Sequence, residues 1–164
     1  MTPFDLVVTK RGTRFMGNYF PCTVGKGGIT KTKREGDGAT PTGTHHIVAM
    51  LYRPDRIAAP APWATPITTG DLWSDDSGLA DYNQMVRTPY AGSHEALRRA
   101  DPLYDLLLIT DWNYPDAKAG KGSAIFVHQW RRAGYPTEGC VVFAREHLHW
   151  IASQITLGTR LIVR

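Results

Sequence analysis

The chain has 164 residues, and its 19 Lys and Arg against 15 Asp and Glu leave a net charge of +4. Its hydrophobic content of 42% and charged content of 21% are typical of one globular domain. The basic residues are dispersed, whereas nucleic-acid-binding proteins usually carry a dense basic stripe, and no apolar stretch is long enough to span a membrane. We therefore expect one domain over residues 1–164, a monomer with no nucleic-acid partner and no membrane span.

Short apolar or alternating runs, bounded by turn-forming residues, predict a mainly β chain. In chain order the predicted strands cover residues 4–9, 13–20, 45–50, 105–111, 124–128, 140–143 and 160–163. Residues 25–44 are rich in Gly, Lys and Thr, and residues 53–90 are rich in Pro, Trp and Asp, so both stretches are predicted to be loops. The pattern indicates a rigid β scaffold that presents long loops.

Helical periodicity is limited to one or two short segments. Residues 145–155 form the clearest case, because Leu148 and Ile151 fall on one face and Gly158 follows as a stop signal. A shorter helix is predicted over residues 95–100, ahead of an Asp-Pro pair.

The candidate chemistry lies in the last third of the chain. His128 ends an apolar run, and Cys140 follows Gly139 at the start of another. A thiol reacts as its thiolate, and a nearby imidazole is a common base for forming one. Gly139 would let a substrate carbonyl approach the backbone, where N–H groups could form an oxyanion hole. The alternative is a buried structural cysteine beside a core histidine; the second cysteine, Cys22, is expected to be reduced and packed as a small apolar residue.

Five ordered segments resemble the L,D-transpeptidase catalytic domain (YkuD-type) family, in its short single-domain branch. They are Gly-Lys-Gly-Gly-Ile (25–29), Glu-Gly-Asp-Gly-Ala-Thr-Pro-Thr-Gly (35–43), Trp-Ser-Asp-Asp (73–76) with Tyr-Asn (82–83), Gly-Lys-Gly-Ser-Ala-Ile-Phe-Val-His (120–128) and Thr-Glu-Gly-Cys-Val (137–141). The resemblance implies a β-sandwich with one or two short helices and long loops. It also implies that the cysteine and the histidine face one groove.

By this resemblance Cys140 is the nucleophile and His128 the general base, with Gly139 and Cys140 supplying oxyanion N–H groups. Thr137 matches the Ser/Thr position that shapes the loop before the nucleophile. A backbone carbonyl of residues 135–138 is the family-like partner that would orient the imidazole.

The substrate-binding candidates are Thr137, Ser123, Tyr82, Asn83 and Arg131. For the segment around Tyr82 and Asn83, support of a long loop is the favoured interpretation, because Asn caps turns and Tyr buries area.

Val142 departs from the family pattern, since many relatives have Arg there as a candidate clamp for a substrate carboxylate. Arg131, Arg132 or Lys121 could take over that charge.

The resemblance implies a peptidoglycan stem peptide or muropeptide as substrate, with no cofactor. If an amine attacks the thioester on Cys140, the enzyme is a transpeptidase. It then forms 3-3 cross-links or exchanges the terminal D-amino acid. If water attacks the thioester instead, the enzyme is an L,D-carboxypeptidase that trims recycled muropeptides. A non-catalytic wall-peptide-binding module is a third alternative.

A metal site is not expected, because the pairs His45-His46 and His147 with His149 lack the spacing of metal ligands. The first residues lack the features of a secretory signal, which predicts a cytoplasmic protein. The alternative is a periplasmic or cell-wall protein from which a leader has been removed.

Overall fold

The computed structural model describes residues 1–164 and is built from fifteen strands and one helix. In chain order they are β1 (Leu6–Thr9), β2 (Gly12–Phe15), β3 (Asn18–Phe20), β4 (Cys22–Thr23), β5 (Ile29–Thr30), β6 (Thr40–Pro41), β7 (Gly43–Tyr52), β8 (Thr65–Pro66), β9 (Asp71–Ser74), β10 (Met85–Arg87), β11 (His94–Ala96), β12 (Leu106–Thr110), β13 (Phe126–Gln129), β14 (Val141–Phe143), α1 (Arg145–Gln154) and β15 (Arg160–Val163). The mainly β fold class is thereby confirmed. The single helix is too short to cross a membrane.

A ten-stranded sheet forms the body of the molecule, in the order β3-β2-β1-β15-β7-β12-β13-β14-β4, with β8 paired to β7. Its two end strands, β3 and β4, are separated in sequence by Pro21 alone. The hydroxyl of Thr13 on β2 also donates to the sulfur of Cys22 on β4, at 3.2 Å. The sheet therefore curves until its two ends meet.

One face of this sheet, the helix face, packs against α1. Leu148, Ile151 and Ala152 of the helix are fully buried there, in a core that includes Val127 and Val141. The predicted helix over residues 145–155 is confirmed to within one residue. Gly158, at φ +83°, lies in the turn that leads into β15.

The other face, the outer face, is covered by the three-stranded sheet β10-β9-β11 and by loops. Trp73 of β9 packs edge-on against Phe126 of β13, with 5.0 Å between ring centroids. Leu97 and Trp73 share a buried cluster with Phe126 and Val142. A second core thus lies on the outer face, and the site described below lies beside it.

Several local predictions differ from the structure. The stretches 25–44 and 53–90, predicted to be loops, also contain the short strands β5, β6, β8, β9 and β10, which form by pairing with other segments. Residues 13–20 were predicted as one strand but form the hairpin β2–β3, because Met16 and Gly17 adopt positive φ angles of 49° and 76° in a tight turn. The predicted helix over residues 95–100 was wrong, because residues 94–96 pair with β9 as strand β11. A partner strand distant in sequence decided the conformation there, against the local helical preference.

Candidate active site

The register of two parallel strands places Cys140 and His128 on the same face of the sheet. In β13 and β14, Val127 lies opposite Val141, so Cys140, one residue before β14, lies beside Phe126. Side chains alternate between faces along a strand, and therefore both Cys140 and His128 point to the outer face. Both are buried, with 9% of Cys140 and 6% of His128 exposed.

The Cys140 thiol is held by backbone groups of the preceding loop and strand. Its Sγ donates to the Ala124 carbonyl at 3.1 Å and accepts a long contact from the Phe126 N–H at 3.5 Å. Burial raises the pKa of Cys140 to about 12. The thiol is therefore protonated in the free protein, and its proton is directed to Ala124 instead of the imidazole.

The His128 imidazole is fixed by its own strand. Its Nδ1 lies 2.8 Å from the Gln129 carbonyl oxygen, which can only accept, so Nδ1 carries the proton and Nε2 has a free lone pair. Burial lowers the pKa of His128 to about 4, so the ring is neutral near pH 7. The expected orienting carbonyl from residues 135–138 is thus replaced by that of Gln129, because Nδ1 faces the carbonyl of the next residue in β13.

The loop before Cys140 is closed by hydrogen bonds to the Thr137 hydroxyl. Thr137 Oγ1 donates to the Cys140 carbonyl at 2.6 Å and accepts from the Gly139 N–H at 3.1 Å. The Cys140 N–H has no hydrogen-bond partner. Of the two N–H groups predicted for an oxyanion hole, that of Gly139 is already occupied and that of Cys140 is free.

Gly139 is required here for reasons of space and conformation. Its φ is +145°, and a Cβ at this position would lie 3.0 Å from both the Ala39 carbonyl oxygen and the Ile125 side chain. The Thr40 hydroxyl donates to the Gly139 carbonyl at 2.8 Å, which fixes the loop from its other side. The glycine therefore packs closely against neighbouring backbone, a role that the sequence did not reveal.

Cys140 and His128 open into one cavity of about 530 Å³. Its walls are formed by Lys33, Glu35, Gly36, Asp75, Glu95, Arg99, Tyr104, Ser123, Ala124, His128, Thr137, Glu138 and Cys140. Four of the predicted site residues line it, namely Cys140, His128, Thr137 and Ser123. A larger groove of about 690 Å³ beside the first three strands contains no cysteine or histidine.

Tyr82 and Asn83 lie behind the cavity wall and are 3% and 1% exposed. Asn83 Oδ1 accepts from the Trp73 indole N–H and from the Ala124 N–H, both at 2.9 Å. Its Nδ2 donates to the Asn113 carbonyl at 2.6 Å. Asn83 thus holds Ala124, the residue whose carbonyl receives the Cys140 thiol.

Tyr82 and Ser123 both donate to the Glu35 carboxylate, Ser123 at 2.8 Å. Burial, followed by the hydrogen bond to Glu35, raises the pKa of the Tyr82 phenol. These contacts match the supporting role that the sequence favoured for Tyr82 and Asn83, and substrate contact by either residue stays a prediction.

The cations of the cavity differ from those expected. Arg131 is exposed outside the cavity, with its guanidinium 5.7 Å from the Tyr135 ring centre, and Val142 is buried in the outer-face core. The cationic side chains that line the cavity are Lys33 and Arg99. Lys33 is paired with Asp37, and Arg99 makes two hydrogen bonds to Asp101, at 2.9 and 2.6 Å.

Sequence reasoning missed Lys33, Arg99, Glu95 and Tyr104 as cavity residues. The Tyr104 ring packs edge-on against the His128 ring, 5.0 Å between centroids, and the Arg99 guanidinium lies 5.0 Å from the Tyr104 ring centre. No sequence pattern around Glu95, Arg99 and Tyr104 indicates a site, because the pairing of distant strands brings them to Cys140. For Lys33 a signal was present, since it lies two residues before the 35–43 segment.

Fold and site together define a β-rich domain whose curved sheet presents a cysteine and a histidine in one cavity. The chain belongs to the L,D-transpeptidase catalytic domain family (YkuD), whose family model matches residues 5–163. The resemblance noted in the sequence is thereby confirmed.

A structural comparison finds an L,D-transpeptidase from Mycobacterium smegmatis. It matches over 97% of this chain with 14% sequence identity and a TM-score of 0.44. This chain covers 57% of the length of that structure. No curated protein matches the chain.

Proposed function

We propose that this protein is a cysteine acyltransferase that acts on peptidoglycan stem tetrapeptides through a thioester on Cys140. The products would be 3-3 cross-links or stem peptides with an exchanged terminal D-amino acid. Family membership supports the peptidoglycan substrate class. The observation that carries the proposed chemistry is that Cys140 and His128 share one sheet face and one cavity.

The first half-reaction forms the thioester. The thiol leaves its hydrogen bond to Ala124 and gives its proton to Nε2 of His128, while Sγ attacks the carbonyl between the diamino acid and the terminal D-alanine. The Cys140 N–H, which has no other partner, stabilises the developing oxyanion. As the C–N bond breaks, the imidazolium returns its proton to the departing D-alanine amine.

The buried site suits this chemistry because neither partner is charged before substrate arrives. A resting thiolate–imidazolium pair would have to be desolvated, and the pKa of each group opposes it: burial raises that of Cys140 and lowers that of His128. The Cys140 thiol therefore gives its proton to His128 only as the sulfur forms its bond to the substrate carbonyl. No free thiolate accumulates before that.

The second half-reaction distinguishes the two enzymatic alternatives. Attack by an amine gives a cross-link or an exchanged residue, and attack by water gives a tripeptide. The test is mass spectrometry of the products that purified protein forms from a disaccharide-tetrapeptide, with and without a D-amino acid such as D-methionine. Cys140→Ala is the matched control.

Cross-linked dimers or D-methionine-labelled stems, absent with Cys140→Ala, are the expected result. Tripeptide alone would contradict transfer and assign an L,D-carboxypeptidase. No reaction with any stem peptide would contradict enzymatic turnover and favour a wall-peptide-binding module. Products that persist with Cys140→Ala would remove Cys140 from the mechanism.

A further inference from the structure

Three carboxylates line the cavity without a cationic partner. They belong to Glu35, Asp75 and Glu95, and none of them forms a salt bridge, whereas the fourth acid of the wall, Glu138, pairs with Lys26 at 2.8 Å. Asp75 Oδ1 is buried and has no hydrogen-bond partner. Leaving a buried acceptor without a hydrogen bond costs free energy, so a donor that reached the Asp75 carboxylate would be bound favourably.

Of the three carboxylates, that of Glu95 is connected most directly to His128. It lies on β11, opposite Trp73 of β9, and its side chain turns inward while its neighbours His94 and Ala96 are exposed. Tyr104 donates its hydroxyl to Glu95 Oε2 at 2.6 Å, and the same Tyr104 ring packs edge-on against His128. Glu95 is thus connected to the imidazole through one aromatic side chain.

Burial raises the pKa of Glu95, and the negative charges of Asp75 and Glu35 act in the same direction. The Tyr104 hydroxyl and the Arg99 guanidinium oppose this change. The same cavity also holds Cys140, whose pKa is raised by the charge of Glu95, and the side chains of Lys33 and His128. A carboxylate in this setting takes up a proton more readily than an exposed one.

The transfer reaction provides a role for a second proton acceptor in the cavity. An amine acceptor arrives as an ammonium near pH 7 and loses two protons when it becomes an amide. One proton passes through His128 to the sulfur as the C–S bond of the thioester breaks and the Cys140 thiol is restored. His128 holds one proton at a time, so a second base in the cavity would let the acceptor bind as an ammonium and lose its first proton there.

We propose that Glu95, assisted by Asp75, binds the ammonium of the acyl acceptor and takes its first proton. The free amine then attacks the thioester carbonyl, His128 carries the second proton to Sγ, and Glu95 afterwards releases its proton to solvent. This assignment rests on the proposed function and adds a catalytic residue for transfer alone. Water arrives uncharged, so thioester formation and hydrolysis do not require Glu95.

The test separates thioester formation from its resolution. Intact-protein mass spectrometry follows the Cys140 thioester in wild type and in Glu95→Gln, whose side-chain oxygen can still accept from Tyr104. Two acceptors are compared, D-methionine, which is an ammonium near pH 7, and hydroxylamine, which is largely unprotonated there. Glu146→Gln, on the exposed side of α1, is the matched control for loss of one acidic charge.

Glu95→Gln is expected to form the thioester at least as fast as wild type, because the negative charge that it removes raises the pKa of Cys140. Transfer to D-methionine should be at least about tenfold slower. Transfer to hydroxylamine should stay within about threefold of wild type, because this acceptor brings no first proton to remove. Tyr104→Phe keeps the ring against His128 but releases the Glu95 carboxylate, and should show the same selectivity to a smaller degree.

Equal slowing with both acceptors would assign Glu95 a structural role and overturn the proposal. Unchanged transfer to D-methionine would also overturn it, while leaving the Cys140 thioester in place. Failure of wild type to form any thioester would overturn the proposed function, and this assignment with it.

Discussion

The two faces of the β13–β14 strand pair carry different kinds of residue. On the helix face Val127, Val141 and Phe143 are fully buried against α1 and its surroundings. On the outer face the alternating positions carry His128 and Cys140, and the covering loops leave a cavity of about 530 Å³. Because successive side chains of a strand point to opposite faces, the core residues and the proposed reactive pair occupy alternate positions of one strand pair.

The strongest test of this division is Cys140→Ala. Thioester formation should be abolished, since no other cysteine lines the cavity, whereas the free energy of unfolding should fall by only about 1 kcal/mol. Intact-protein mass spectrometry after incubation with a stem tetrapeptide and a thermal melt measure the two effects. Loss of the folded state together with activity would show that the outer face also carries the stability.

His128→Gln should reduce the rate of thioester formation by about 10²–10⁴-fold, because the proton of the buried thiol loses its acceptor. The rate is measured by single-turnover mass spectrometry, with circular dichroism as the check on folding. A rate near that of wild type would assign the base to another residue.

Leu148→Ala is the converse substitution on the helix face. Leu148 is fully buried, and its truncation should cost about 2–5 kcal/mol in the free energy of unfolding. The rate of thioester formation per folded molecule should stay within about twofold of wild type, because no side chain of α1 lines the cavity. Chemical denaturation and single-turnover kinetics measure the two quantities, and exposed Ser153→Ala on the same helix is the control.

The pH dependence of thioester formation sharpens the comparison further. The imidazole accepts the thiol proton only when neutral, and burial lowers the pKa of His128 to about 4. The rate should therefore stay level as pH falls through 6.5 and should decline only as pH approaches about 4. A decline centred near the ordinary histidine pKa would mean that the imidazole is solvated.

Arg131→Ala should have the smallest effect. The side chain lies outside the cavity and stacks on Tyr135, so kcat/KM for a stem tetrapeptide should change by less than about twofold. Steady-state kinetics measure it. A larger loss confined to KM would restore Arg131 as the clamp for a substrate carboxylate.

The parts of the fold that the sequence predicted are those with local causes. Strand β15 was predicted to the residue, and α1 to within one residue, because alternation and helical spacing are visible in a short window. Strands β9 and β11 were not predicted, because their stability comes from pairing with each other and from packing of Trp73 on Phe126.

The same distinction applies to the site. Cys140 and His128 could be recognised from motifs that lie close together in the chain. The burial that shifts the pKa of both groups, and the charges of Glu95 and Lys33 that act on Cys140, could not be recognised in the sequence. Glu95 lies in a segment predicted as a helix, and only the register of β11 on β9 turns it toward the cavity.

The crowded position of Gly139 has a consequence for how this chain tolerates change. In a library of single substitutions screened for protein abundance, position 140 should accept Ala or Ser and yield plentiful, inactive protein. Position 139 should disfavour every other residue, because its φ of +145° strains any side-chain-bearing residue and a Cβ would lie only 3.0 Å from the Ala39 carbonyl oxygen and the Ile125 side chain. The residue proposed to perform the chemistry is thus dispensable to the fold, whereas its neighbour Gly139 is the one that the fold requires.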